Sequence, residues 1–70
     1  MEELEKQEVV ERIAFERGRQ VGVGGGEAPG PASVVGDLLT ADNTEAVYDA
    51  YFRGQVYGER QAIHEFEGED

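Results

Sequence analysis

Cysteine and tryptophan are missing from this chain, histidine and methionine occur once each, and six cations face sixteen acids. Without cysteine there is no disulfide framework and no thiolate zinc site, and His64 alone leaves little for any other metal. No apolar run reaches the eighteen residues of a membrane span, and no basic leader precedes an apolar stretch, so the chain reads as cytoplasmic. A net charge of −10 repels phosphate backbones and anionic lipid, which argues against direct nucleic-acid or membrane binding. Seventy residues form at most one small domain. A domain of that size buries only about 60% of the surface its unfolded chain exposes. With disulfides and metals closed, the expected source of further stability is a partner, either a second copy or a larger protein.

Residues 3–21 are rich in Glu, Gln, Arg, Leu and Ala, with apolar Leu4, Val9, Val10, Ile13, Ala14 and Phe15, and they predict a first helix. Acids crowd its first turns, while Arg17 and Arg19 stand toward its end, the order that suits the helix dipole. The stretch 22–30, GVGGGEAPG, is a flexible connector, since glycine loses more backbone freedom on ordering than any other residue. It lacks the third glycine of GxGxxG, where Glu27 stands, and it lacks the Lys and Ser/Thr of a phosphate loop. Pro31 then opens a short middle helix over 31–39, whose Val34, Val35, Leu38 and Leu39 form a small apolar lid. Asp42 and Glu45 have the spacing of a capping pair, and the last helix is expected from about 43 to 66, with fraying from 67 onward.

The stretch YFRGQVYGERQAIHEF, residues 51–66, also carries a hairpin signal: aromatic and β-branched residues flank Arg53-Gly54. Strict alternation fails, however, where Ala50, Tyr51 and Phe52 stand side by side. Helical spacing fits better, because Ala46, Ala50, Gly54, Gly58 and Ala62 fall at successive i+4 positions. The first helix has a matching row in Val10, Ala14 and Gly18, with Gly22 either continuing it or serving as a C-terminal cap. Around the rows lies an internal similarity, EVVERIAFERG against EAVYDAYFRG, in which Arg17-Gly18 matches Arg53-Gly54. Each glycine inside a helix costs about 1 kcal/mol relative to alanine, so such rows point to a backbone passing too close for a methyl group.

Tyr48, Phe52, Val56, Ile63 and Phe66 form a bulky row nearly opposite the small one, since two residues on a helix stand about 200° apart. Apolar rows on opposed sides need two covers, and the second is assigned to a partner. The fold expected is all-α: a helical hairpin with a short middle helix and a Gly-rich connector, completed by oligomerisation or a partner.

No catalytic residue, cofactor site or metal site can be picked out. His64, with Arg60 and Glu67 near it on the helix, has no nucleophile or pocket to serve, and DNTEAV lacks the glycine and ligand order of a calcium loop. Arg53 and Arg60 are expected to pair with the acidic first helix. No small-molecule substrate is implied.

The segment AYFRGQVYGERQAI, within residues 45–66, resembles helical segments of small acidic tailed-bacteriophage proteins, in which an aromatic, Arg-Gly and a further small residue recur. That resemblance implies a virion assembly component or a small host-takeover protein, non-enzymatic in either case and located in a host cytoplasm or within a virion. The alternative expected from charge is an acidic inhibitor that imitates nucleic acid and blocks a host nucleic-acid-binding protein.

Overall fold

A computed structural model describes residues 2–25 and 30–68 of the chain, with side chains described from 5 to 25 and from 30 to 64. Helix α1 covers Glu2–Gly24, α2 covers Pro31–Val35 and continues as a 3-10 turn over Gly36–Leu38, and α3 covers Thr44–Gly68. The described residues contain no strand, so the stretch 51–66 is helix throughout. The long helices pack against each other within the one chain as the two arms of the fold.

Several boundaries differ from expectation for identifiable reasons. Helix α1 runs through Gly22, which is buried, so Gly22 is a packing residue and not a cap. The chain leaves the helix at Gly25, whose φ of +68° is left-handed and suits glycine. Because α1 outlasts its arginines, its last turn carries no basic residue, and Arg17 and Arg19 act sideways instead. Residues 26–29 of the connector lie outside the described residues.

The start of α3 is not organised by the expected pair of Asp42 and Glu45. Asn43, only 8% exposed, takes the place: its carbonyl accepts from Val47 N at 2.9 Å. Its side chain turns backward, Oδ1 accepting from Thr40 N at 2.7 Å and Nδ2 donating to Leu38 O at 3.0 Å. Asparagine can both accept and donate, which a carboxylate cannot, so it can tie the incoming turn to the helix. Helix α3 extends to Gly68, past the expected fraying point, and residues 69–70 lie outside the described residues.

The direction of the two arms follows from their contacts. A Cβ built on Gly18 would overlap the Tyr51 carbonyl oxygen and stand 3.0 Å from Gln55 N, while one on Gly22 would overlap Gln55 O and stand 2.9 Å from Glu59 N. Reciprocally, a Cβ on Gly54 would overlap Phe15 O, and one on Gly58 would overlap Arg19 O, each about 3.0 Å from the next turn's backbone nitrogen. Positions climb together on both helices, so α1 and α3 run parallel, with Gly18 opposite Gly54 and Gly22 opposite Gly58. The contacts are reciprocal, which relates the arms by an approximate two-fold axis along the pair. The segment between them is therefore a return crossover that brings the chain back along the molecule.

That crossover also closes the core. Val35 is fully buried with Ala14 and Val47, beside Tyr51 at 1% and Ala50 at 9% exposure, and Val34, Leu38 and Leu39 pack around them. Arg17 fastens the segment from outside, donating to Val34 O at 2.9 Å and pairing with Asp37 at 2.6 Å. The middle helix thus covers one flank of the helix pair, and no other element among the described residues covers the opposite flank.

Candidate protein-interaction surface

The small-residue row and the bulky row end in different environments. Ala14, Gly18, Ala50, Gly54 and Gly58 are buried in the seam between α1 and α3, with Val10 packed on the core and Ala46 and Ala62 half-buried at the margins. This seam is internal to the chain and filled. The hydrogen that replaces each glycine Cβ points at a carbonyl across the seam, the arrangement of Cα–H···O contacts. Such contacts contribute about 0.5–1 kcal/mol each, so four of them offset between half and all of the roughly 4 kcal/mol that four helical glycines cost.

The bulky row faces outward. Phe52, Val56 and Ile63 remain 49%, 47% and 59% exposed on the side of α3 away from α1. Tyr48 is the exception, half-buried beside the crossover with its ring 6.5 Å from that of Phe52. The side chain of Phe66 lies outside the described residues.

Next to this row, on the flank that the crossover leaves open, runs a groove of about 470 Å³ between the arms. Phe15 and Tyr57 form its floor, with ring centroids 5.8 Å apart, and Phe52 and Val56 form one wall. Arg53, Arg60 and Asp49 stand on the rim, and Arg12 stands with Glu8 and Glu11 where the groove continues toward the N-termini, so the lining carries both signs of charge. Arg53 pairs with Asp49 of its own helix at 3.0 Å, not with the acidic first helix. Among the described residues Arg60 forms no ion pair with α1, so the expected bridging by these two arginines is not what the side chains do. Arg19 is held by Glu16 at 3.0 Å and reaches Gln61 across the seam at 3.4 Å. The hydrogen bond from Arg19 lowers the Glu16 carboxyl below its ordinary value and raises Arg19 in return. His64 is exposed beside Tyr57, Arg60 and Gln61.

Sequence reasoning placed Phe52, Val56 and Ile63 on one face but missed Phe15, Tyr57 and Arg12 as a shared surface. Phe15 and Tyr57 sit just beside the small rows on their own helices. They meet only because the arms are parallel, so no pattern within either helix could have paired them.

Among the described residues no helix is long and apolar enough to cross a membrane, and no cluster of three or more His, Asp or Glu is placed to hold a metal ion. The chain matches no protein-family model, no curated protein and no solved structure. The surface is therefore read from its geometry and chemistry.

Proposed function

We propose that this chain is a non-enzymatic protein–protein interaction module, a small component of a larger assembly that docks through the open groove and outer face of α3. One observation carries the reading: Phe52, Val56 and Ile63 stay about half exposed on the side of α3 away from α1, and Tyr57 stays about half exposed in the groove beside them. Burying a Phe or Ile side chain fully contributes about 1.5–3 kcal/mol, so a partner covering this strip would gain several kcal/mol. The resemblance of residues 45–66 to tailed-bacteriophage helical segments supplies the context of a virion-associated component, within a host cytoplasm or a virion.

A second reading, an acidic inhibitor that imitates nucleic acid, draws on the parallel arms. Residues 2–11 and 42–52, which share one end of the molecule, contain eight acids and a single lysine. Salt separates the two readings, because a charge mimic loses affinity steeply with ionic strength and an apolar contact persists.

A photo-crosslinking residue at position 56, with position 33 as an exposed control, tests the docking surface in the producing cell. A discrete adduct from position 56 and none from position 33 is expected. If position 56 yields no adduct, the interaction reading fails.

A further inference from the structure

The approximate two-fold axis that relates the arms also exchanges the two flanks of the helix pair. Gly18 faces the Tyr51 carbonyl and Gln55 N as Gly54 faces the Phe15 carbonyl and Arg19 N, and Gly22 with Gly58 repeats the exchange. A residue of α1 therefore has its counterpart thirty-six positions later, as 18 has 54 and 22 has 58. The counterparts agree where the crossover is held. Tyr51, beside Val35 in the core, corresponds to Phe15 on the open floor, Ala14 to Ala50, and Arg17 to Arg53. On the covered flank Arg17 Nη1 donates to Val34 O at 2.9 Å and to Asp37 Oδ1 at 2.6 Å, and Nη2 donates to Asp37 Oδ2 at 3.3 Å. On the open flank, among the described residues, Arg53 has Asp49 of its own helix as its ion-pair partner, through Nε at 3.0 Å. That pair is 74% and 60% exposed, so it is weak, and Nη1 and Nη2 remain as donors. The counterparts diverge toward the N-termini, where Glu11 takes the place of Val47 and Arg12 that of Tyr48. The mixed charge of the groove does not select an occupant, but the covered flank shows the kind of element that fits.

We propose that the open flank holds a short helical segment of a partner protein in the way the covered flank holds α2 and its 3-10 turn. This rests on the interaction-module reading above and specifies the element by which the partner docks. The segment runs opposite to the arms and lays an aliphatic side chain on Phe15 and Ala50, as Val35 lies beside Tyr51 and Ala14. It gives Arg53 a backbone carbonyl and, three residues later, a carboxylate, as Val34 and Asp37 do for Arg17. Against Glu11 and Arg12 it presents polar groups, and there it differs from this chain's own crossover. In a second copy Val35 is already buried against its own core, so the segment belongs to another protein.

The crossover itself supplies the probe. A synthetic peptide of residues 30–41, GPASVVGDLLTA, is titrated into the isotope-labelled full chain and followed by amide NMR shifts. Shifts are expected around Phe15, Arg53 and Tyr57. Binding is expected to weaken at least about tenfold with Arg53→Ala in the protein, confirmed helical by circular dichroism, or with Asp37→Asn in the peptide. The absence of shifts at millimolar peptide overturns the inference. So do shifts confined to the covered flank around Arg17, or binding that Arg53→Ala leaves unchanged. An adduct from position 56 that joins two copies of this chain also overturns it. If position 56 crosslinks to another protein while the peptide fails to bind, the helical segment is wrong and the interaction module stands. If position 56 yields no adduct, both fall.

Discussion

At four positions the room for a side chain is that of a hydrogen atom. Gly18, Gly22, Gly54 and Gly58 each point at a carbonyl of the facing helix, so a methyl group forces the arms apart. Gly54→Ala is expected to destabilise the fold by about 1–3 kcal/mol through overpacking, even though alanine is the better helix former. Gly24, also helical, has nothing among the described residues within 4 Å of its added Cβ, so Gly24→Ala is expected to be neutral or to stabilise by up to about 1 kcal/mol. Urea denaturation of the two variants gives opposite signs if the seam is as close as described, and equal signs if it is not. Tyr51 offers a different test at the same scale. Its ring is a core element and packs edge-on to Phe52 at 5.4 Å, but its hydroxyl is buried with no hydrogen-bond partner among the described residues. An unmet buried hydroxyl costs about 1–3 kcal/mol, so Tyr51→Phe is expected to raise the melting temperature. Tyr51→Ala, which empties the core, is expected to cost about 3–5 kcal/mol.

Among the elements, the crossover is the one whose attachment can be titrated. Arg17 reaches from α1 to the 3-10 turn, and its hydrogen bond lowers the Asp37 carboxyl below the ordinary range while Asp37 raises Arg17. A carboxyl with a lowered folded pKa contributes stability above its unfolded value, and that contribution is lost as pH falls through the folded one. Asp37→Asn is therefore expected to be less stable than wild type at pH 7, with the gap closing as pH falls below about 4. Acid also relaxes the repulsion among the many carboxylates, so the difference between the two proteins, followed by thermal melts, is the quantity that isolates the pair. A gap that persists unchanged at pH 2 would mean that Asp37 acts by packing and not by charge. The helix content of α1, α2 and α3 was legible from residue spacing, whereas the turn built on Asn43 was not. A helix start is advertised by short polar residues, and Asp42, Asn43 and Thr44 stand in a row, so only three-dimensional contacts choose among them.

At the scale of the whole molecule the parallel direction of the arms has the widest consequences, and it is open to direct measurement. The chain has no cysteine, so spin labels can be placed by pairs of introduced thiols at exposed sites. Labels at Glu8 and Asp49 are expected to lie close, whereas labels at Glu8 and Arg60 are expected to be separated by roughly 15 Å more, the rise of eleven helical residues. An antiparallel arrangement reverses that order. The candidate surface depends on the same direction, because Phe15 meets Tyr57 and the arginines share one half only when the arms run together. Its residues were partly legible: the outward row of Phe52, Val56 and Ile63 follows from spacing in α3, and the groove beside it does not.

By itself the amino-acid pattern determined that the chain is helical, that each long helix has a face too small to be left uncovered, and that α3 has a second, bulky face. Those conclusions need only the 3.6-residue period and the cost of glycine in a helix. Tertiary structure alone decided that the two small faces meet within one chain, which way they run, and so where charge accumulates. A row of small residues every four positions reads the same from either end and has no side chain to encode direction. The outcome was settled by the crossover instead, where Val35 reaches the core beside Ala14 and Val47, and the returning chain sets α3 parallel to α1.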